Sequence, residues 1–286
     1  MDIPVVVVRS PVLPGLARYL NPVALVRHLW RHREFIGQLT RREIEGRYRS
    51  SLLGLTWSFI NPIVLLLVYT FVFGVVFRQR WGVHADGLGE YGLVLFAGII
   101  AFGVFSECVN RAPGLIVGTP NYVKRVVFPL ELLPLGVMGS AVFHAAVSLS
   151  VLLVAAAVSG LPPRPSWLLV PLALAPVVLL SLGLLWMLSS LGVFLRDLGY
   201  GVTLAVQVLF FLTPIFYPLD AIPERFQIFV RLNPLTSVVV AVRAAIFPGL
   251  EPLWTDLAVS LGASSVLMLL GYAWFMRTRR AFGDVI

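Results

Sequence analysis

Six apolar runs, each long enough to cross a lipid bilayer, constrain the fold of this chain more than any other feature of its sequence. A helix needs about 20 apolar residues to cross a hydrocarbon core of about 30 Å. Hydrophobic residues make up 58% of the 286 residues and charged residues only 13%, which is too little charge to cover a soluble domain of this size. We therefore predict an all-α membrane protein with six transmembrane helices. The predicted spans are residues 52–77, 91–111, 129–159, 167–195, 201–219 and 253–276.

The positions of the basic residues predict how the chain is oriented. If both termini lie on one side of the membrane, 16 of the 22 lysine and arginine residues fall on that side and six on the other. Cytoplasmic segments of membrane proteins carry the excess of such residues, so we expect both termini in the cytoplasm. The formal net charge is +8, and the basic residues lie in the segments between the apolar runs. We interpret them as anchors at the membrane surface, so we expect contacts with membrane lipids and no nucleic-acid partner.

Two regions do not fit a transmembrane helix, and the first is residues 21–49, which follow a predicted N-terminal tail at residues 1–20. Polar side chains at helical spacing share one stripe and apolar side chains the opposite side. We predict an amphipathic helix with its apolar side at the headgroup boundary; an ordinary cytoplasmic helix is the alternative. Glu43 and Arg47, an i,i+4 pair, interrupt the apolar side, so we expect that end to contact protein. The polar stripe is Arg27, Arg31, Glu34, Gln38, Arg41, Arg42, Glu45 and Arg49, and the apolar side is Leu25, Leu29, Ile36 and Leu39.

The second such region is residues 220–252, between the fifth and sixth predicted spans. It holds two apolar pieces, 226–232 and 235–247, separated by Asn233 and Pro234. Thirteen residues are too few to cross the membrane, and both flanks of the region must lie on the same side. We predict a pair of re-entrant helices that dip into the outer leaflet, with an external amphipathic hairpin as the alternative.

The sequence carries no motif for catalysis or metal binding. A phosphate-binding loop needs a lysine beside serine or threonine, and the only lysine, Lys124, stands between Val123 and Arg125. The four histidines are dispersed, without the ligand spacing of a metal site. We predict that the chain is not an enzyme, has no catalytic residue and binds no cofactor of its own. A membrane transferase acting on lipid-linked sugars, the alternative of another class, would need acidic or histidine residues clustered at one membrane face.

Few ionisable residues fall within the predicted spans, and such residues often mark a substrate path. Glu107 and Arg111 are spaced i,i+4 near the cytoplasmic end of the second span. They are interpreted either as a structural ion pair that neutralises itself or as substrate contacts. We expect His144, in the third span, to be a hydrogen-bonded packing residue.

Aromatic residues crowd the outer ends of the first and fifth spans. Interfacial anchoring explains part of this enrichment. Aromatic rings also suit sugars, since the C–H faces of a sugar stack on them and a sliding glycan needs weak, repeated contacts. The two groups are Tyr69, Phe71, Phe73, Phe77 and Trp81 in the first span, and Phe210, Phe211, Phe216 and Tyr217 in the fifth.

Several segments resemble those of ABC-2 type transporter permeases, and more narrowly the permeases of bacterial O-antigen exporters. The longest is RREIEGRYRSSLLGLTWSFINP at residues 41–62, which is similar to the start of the first span in that family. The resemblance covers roughly residues 22 to 286. The other matching segments are 95–98, 107–114, 121–131, 191–197, 213–218, 232–235 and 271–275.

The resemblance implies a half-transporter in the bacterial inner membrane that forms a homodimer and pairs with two copies of a cytoplasmic ABC ATPase, on which ATP and Mg²⁺ would be bound. It also implies that residues 21–49 are the interface helix beside the ATPase and that the re-entrant pair is an external gate. Residues 118–126 would be the coupling helix that docks on the ATPase; on charge alone this is a basic loop that sets the topology. The residues assigned to ATPase coupling are Pro120, Asn121, Tyr122, Lys124 and Arg125, with Arg196 and Asp197 as a second contact.

The function implied by the resemblance is export of undecaprenyl-diphosphate-linked O-antigen polysaccharide to the periplasm, through a dimer channel lined by the first, second and fifth spans. Capsule and teichoic-acid exporters share the fold and are the alternatives. The position of the charge suggests that Arg42 or Arg47 meets the diphosphate. The residues assigned to the interface helix and the lipid-diphosphate entrance are Arg41, Arg42, Glu43 and Arg47. The candidates that line the channel are Tyr69, Phe73, Phe77, Glu107, Arg111, Phe211, Phe216 and Tyr217.

Overall fold

The structure, a computed structural model, describes residues 19–49, 51–77, 90–123, 128–250 and 253–285. Within these ranges the chain forms α-helices and short 3-10 turns without any strand. The predicted all-α fold class is confirmed. Residues 1–18 of the predicted tail, Trp81, Lys124 and Arg125 lie outside the described residues.

Twelve helices follow one another along the described part of the chain, and α3 continues as a π-helical segment over Thr70–Val76. They are α1 (Pro22–Arg31), α2 (Arg33–Tyr48), α3 (Trp57–Tyr69), α4 (Glu90–Leu115), α5 (Pro120–Val123), α6 (Leu133–Val158), α7 (Val170–Phe194), α8 (Leu198–Leu212), α9 (Glu224–Arg231), α10 (Pro234–Ile246), α11 (Trp254–Thr278) and α12 (Phe282–Val285).

Five helical stretches of the described residues are long and apolar enough to cross a membrane. They contain α3, α4, α6, α7 and α11 and match the first four and the sixth predicted spans. The helix α4 is the most enclosed of them, because α6, α7, α8 and α10 all pack against it. The five stretches are Gly54–Val76, Tyr91–Leu115, Leu130–Val158, Pro165–Phe194 and Trp254–Val285.

The fifth predicted span corresponds to α8, which is shorter than expected. The helix has 15 residues and is about 22 Å long at 1.5 Å per residue, and it ends at Leu212 rather than at residue 219. Pro214 explains the early end, since the residue before a proline disfavours helical geometry; Thr213 is extended. Crossing the membrane at this point therefore needs the non-helical residues 213–218 as well.

The predicted re-entrant region forms α9 and α10, which are bent by 93° at their junction. The side chain of Asn233 caps α10 by accepting a hydrogen bond from the Leu235 amide at 3.0 Å, and Pro234 occupies the first helical position, where its missing N–H costs nothing. The helix α10 is buried against α4, α7 and α11, whereas α9 keeps apolar side chains such as Phe229 exposed. Burial of the second helix argues against an external hairpin, and the bend is that of a re-entrant pair or of a broken span.

Close contacts between backbones hold the long helices together. A Cβ atom added to Gly183 of α7 would lie 2.7 Å from the Cα atom of Met268 in α11, and Gly271 faces the Gly183 carbonyl in return. Gly192 of α7 lies in the same way against the Pro113 carbonyl of α4. Small residues at such crossings let membrane helices approach closely enough for tight packing.

Arg243 of α10 is buried, and it binds the carbonyl groups left free where α8 ends. Only 3% of the residue is exposed. Its Nη1 donates to Pro214 O at 2.7 Å, its Nη2 to Ile215 O at 2.6 Å, and its Nε to Val94 O in α4 at 2.9 Å. Arg243 is one of the six basic residues that the predicted topology places on the outer side, and the structure buries it in α10. The guanidinium fixes the break after α8 against α4.

Replacement of Arg243 by alanine is expected to destabilise the protein strongly. Each buried carbonyl left without a donor costs about 1–3 kcal/mol. Two carbonyls lose their donor, those of Pro214 and Ile215, whereas Val94 O lies within α4 and keeps its helical N–H partner. The measurement is the unfolding temperature of the purified, detergent-solubilised protein. Arg231→Ala is the matched control, because Arg231 is exposed in the neighbouring helix α9. Equal unfolding temperatures for the two variants would contradict the role assigned to Arg243.

Candidate functional site

The amphipathic region forms two helices, α1 and α2, which meet at His32. Leu25 and Leu39 are buried in the bundle, and Leu29 and Ile36 pack against the same core. The apolar side predicted to face the headgroups therefore contacts protein instead. A different apolar stripe is exposed on α1, formed by Val23, Val26 and Trp30. Gly136 and Gly139 of α6 allow α2 to approach closely at Leu39 and Thr40.

Two ion pairs join the C-terminal end of α2 to the C-terminal end of α4. Arg47 Nη1 donates to Glu107 Oε1 at 2.8 Å, and Arg111 Nη2 donates to Glu43 Oε2. The sequence suggested two pairs within single helices, Glu43–Arg47 and Glu107–Arg111, but the structure pairs each residue with the other helix. The reason is that α2 packs against α6 beside α4, which brings the four side chains together. The expectation that this end of α2 contacts protein is confirmed.

His144 of α6 completes the network around the first pair. Its Nδ1 lies 2.9 Å from Arg47 Nη1 and 3.2 Å from both Glu107 oxygens, and its Nε2 lies 3.2 Å from Tyr48 Oη. Each neutral form of the ring has partners here. With Nδ1 protonated it donates to Glu107 and accepts from Tyr48, and with Nε2 protonated it donates to Tyr48 and accepts from Arg47. His144 is thus the hydrogen-bonded residue that was predicted.

This network lies at one end of a cleft of about 230 Å³ between α2, α3, α4 and α6. The end near the network is polar, and the opposite part is apolar. Since α3 begins next to α2 and α4 ends there, the polar end lies at the predicted cytoplasmic face. The polar lining includes Arg47, Tyr48, Ser58, Asn61, Glu107 and His144, and the apolar lining includes Leu65, Phe96, Ile99 and Ile100.

A second cavity, a groove of about 410 Å³, adjoins the same ion pairs on the surface of α2. It is lined by Arg42, Glu43, Gly46, Arg47 and Arg111, so three guanidinium groups face one carboxylate. Such an excess of positive charge suits a phosphate group, which guanidiniums bind in a bidentate manner. Arg41, the fourth residue predicted at this entrance, instead pairs with Glu45 at 2.6 Å on the exposed side of α2.

The two predicted aromatic groups form one cluster in the structure. Phe73 stacks on Tyr91 with ring centres 5.8 Å apart and lies 6.0 Å from Phe216. The Tyr91 hydroxyl donates to Phe216 O at 2.6 Å, which holds residues 213–218 against α4. Further members of the cluster are Tyr69, Phe77, Phe210 and Phe211. Tyr217 donates its hydroxyl to Phe211 O at 2.8 Å.

The predicted coupling segment contacts α2 through aromatic rings. Tyr122 lies in the four-residue helix α5 after Pro120 and the exposed Asn121. Its ring packs 4.2 Å from that of Phe128, and Arg42 Cζ lies 5.3 Å from its centre. Phe35 of α2 contacts Phe128 at 5.6 Å. Arg196 and Asp197 form an exposed turn between α7 and α8.

Sequence reasoning missed a buried glutamate that ties α1 to the bundle. Glu131 is 4% exposed and accepts a hydrogen bond from Arg279 Nη1 at 2.8 Å. His28 Nε2 of α1 lies 3.4 Å from Glu131 Oε1, although without hydrogen-bond geometry. A lone acidic residue at the start of a predicted span was the only signal. Among the described residues, no group of three or more His, Cys, Asp or Glu side chains converges to hold a metal ion.

The pH dependence of stability is expected to involve His28. Burial lowers the pKa of His28 from its ordinary 6.5, while Glu131 acts in the opposite direction. Because the folded protein holds this proton less tightly than the unfolded chain, the stabilising contribution is present above about pH 6.5 and is lost as the pH falls below it. Unfolding temperatures measured between pH 7.5 and 5.5 should therefore fall less steeply in His28→Gln than in the native protein. Arg33→Gln, at an exposed position of α2, is the control and should keep the native slope; equal slopes in all three would contradict this role.

Comparison with known proteins places these features in a family. The sequence profile of the ABC-2 type transporter family matches residues 34–247, from α2 to the end of α10. The O-antigen export system permease protein RfbA of Myxococcus xanthus is 30% identical over 264 residues, which are 90% of this chain and 97% of that protein. The protein of the same name from Klebsiella pneumoniae is 26% identical over 87% of this chain and 93% of that protein.

A capsule-related protein is also similar. The polysialic acid transport protein KpsM of Escherichia coli is 25% identical over 73% of this chain and 79% of that protein. The profile match extends over most of the chain and includes α2, the ion pairs and the bent pair α9–α10. This chain belongs to the ABC-2 type transporter family.

Proposed function

We propose that this chain is the membrane-spanning permease of an ATP-driven polysaccharide exporter. The relatives are named as O-antigen export permeases and a polysialic acid transport protein. The sequence has no lysine placed for a phosphate-binding loop, so ATP is bound and hydrolysed, with Mg²⁺, on a separate cytoplasmic subunit. Two copies of the chain and two of the ATPase form the transporter in the inner membrane, with the termini of the permease in the cytoplasm.

In this proposal the contact between the two copies lies at the faces of α3 and α8. Along α3, Phe59, Ile63 and Leu67 are 46%, 43% and 63% exposed, and they recur every four residues. On α8, Leu204 and Phe211 are 63% and 66% exposed. The aromatic cluster joins these two helices at their outer ends. A second copy that packs near these faces encloses a channel between α3, α4 and α8 of the two chains.

The substrate is a polysaccharide attached to a lipid diphosphate, of the undecaprenyl type. The observation that supports this best is the groove at Arg42, Arg47 and Arg111, where three guanidiniums meet one carboxylate. The groove adjoins the polar end of the cleft, so a diphosphate held there places its first sugar beside Asn61 and His144. The lipid tail stays in the hydrocarbon core of the membrane.

Transport follows from the contacts of α2. The ATPase binds α5 and the Arg196–Asp197 turn, and Tyr122 passes its movement to Arg42 on α2. Movement of α2 opens the polar end of the cleft, since Arg47 and Glu43 hold α2 to α4 there. The glycan then moves past the aromatic cluster, whose rings offer weak, repeated contacts. The α9–α10 pair, fixed by Arg243, closes the outer end.

An O-antigen is the favoured cargo, and a capsular polysaccharide is the second candidate. The O-antigen export permeases match 87% and 90% of this chain. The polysialic acid transport protein matches 73%. Coverage and identity both favour an O-antigen, the outer polysaccharide of lipopolysaccharide.

Loss of either groove arginine is expected to slow export. A hydrogen bond to a charged group contributes about 1.5–3 kcal/mol, so Arg42→Ala and Arg47→Ala should each lower the export rate about tenfold or more. The measurement is the appearance of the glycan in the periplasm, in cells that supply the ATPase subunit and the lipid-linked glycan. Arg33→Ala is the matched control, because Arg33 is exposed on α2 and paired with Glu34.

The amount of each variant in the membrane is measured alongside. Native export rates in both Arg42→Ala and Arg47→Ala would overturn the assigned entrance. No export by the native chain with its ATPase and any lipid-linked glycan would overturn the proposed function itself.

A further inference from the structure

Two of the three guanidiniums in the groove are already bound to carboxylates. Arg47 pairs with Glu107 and Arg111 with Glu43. An anion that enters the groove has to compete with both carboxylates. Glu43 is easier to displace than Glu107, because the Glu43 side chain is 29% exposed and that of Glu107 only 14%.

We propose that Glu43 and Glu107 are specificity-determining residues, which the headgroup must displace from Arg111 and Arg47 and which thereby exclude single-charged phospholipids. This inference rests on the proposed function, since it concerns the same groove. The ligand class is a lipid diphosphate diester. Such a headgroup carries two negative charges, one for each guanidinium, whereas the phosphodiester of a phospholipid carries one.

The chemistry of the exchange favours the diphosphate. Each guanidinium gives up one carboxylate and gains a phosphate whose several oxygens accept bidentate hydrogen bonds. A ligand with one charge can replace one carboxylate and leaves the other pair closed. Both pairs open only for a ligand with two charges at the spacing of neighbouring phosphates.

The carboxylates released by the exchange keep partners. Glu107 stays 3.2 Å from His144 Nδ1, which donates to it when that nitrogen is protonated. The Tyr48 hydroxyl then donates to His144 Nε2. Glu43, the more exposed of the two, turns towards water. The network around His144 thus lowers the cost of separating Arg47 from Glu107, because it prevents a buried carboxylate from being left without a hydrogen bond.

Opening both pairs frees only the C-terminal end of α2. The middle of the helix stays held where Leu39 and Thr40 meet Gly136 and Gly139, so α2 pivots about this contact. Arg42 lies on the part that moves and contacts Tyr122 of α5. Binding of the diphosphate therefore shifts Arg42 and, through it, Tyr122, at the surface that faces the ATPase.

The test measures which lipids the native permease–ATPase complex retains in nanodiscs. The native complex should retain undecaprenyl diphosphate over undecaprenol and over phosphatidylglycerol, and inorganic pyrophosphate should compete only weakly because it lacks the lipid. In Glu43→Gln the preference over phosphatidylglycerol should fall about tenfold, the factor that corresponds to roughly 1.4 kcal/mol. Glu34→Gln is the matched control, since Glu34 is 87% exposed on the same helix and outside the groove, and it should keep the native preference.

Glu107→Gln provides a second variant with the same expected direction, and its unfolding temperature shows whether it folds. If Glu43→Gln and a folded Glu107→Gln both keep the native preference, the specificity role is wrong while the proposed function stands. If the native complex does not prefer undecaprenyl diphosphate to undecaprenol, the proposed substrate is wrong, and the specificity role with it.

Discussion

A helix that breaks inside a membrane leaves carbonyl groups that lipid cannot satisfy, and in this protein a buried arginine satisfies them. Arg243 donates to Pro214 and Ile215 beyond the end of α8 and to Val94 of α4. Irregular backbone at membrane depth is tolerated only where protein or water provides such partners. The short fifth span, the turn that carries Phe216 and the position of α10 all depend on this one side chain.

Contacts hold α4 at both ends, which the predicted topology makes its outer and its inner end. Its outer end is held by Arg243, and its inner end by the two pairs with Glu43 and Arg47. At the outer end the buried Arg243 supplies donors for the Pro214 and Ile215 carbonyls, which lie beyond the end of α8, so this contact is fixed. At the inner end the arginines of the two pairs are more exposed than the carboxylates, and in our proposal another anion displaces these carboxylates. A transporter needs one fixed contact and one that opens, because the entrance of the substrate path must open while the rest of the structure stays folded.

Much of the fold could be predicted from the sequence, because hydropathy and loop charge are local properties. The five long spans and the bent pair at 224–246 were found in this way. Contacts between helices could not be predicted, because the spacing of residues along one helix does not show which helix packs beside it. Glu107 and Arg111 suggested an i,i+4 pair, yet the packing of α2 gives each of them a different partner. The carbonyl partners of Arg243 could not be predicted for the same reason. The apolar side of α1–α2 was found but placed against lipid, since periodicity does not distinguish a protein neighbour from a membrane.

The central claim is that the C-terminal end of α2 separates from α4 when the transporter works. Cys108, the only cysteine, is fully buried, so spin labels can be placed at Glu45→Cys on α2 and Val117→Cys after α4, both exposed positions. Pulsed electron paramagnetic resonance on the complete permease–ATPase complex then measures the distance between them. We predict that the distance increases when ATP and undecaprenyl diphosphate are bound, and an unchanged distance under all conditions would contradict the claim.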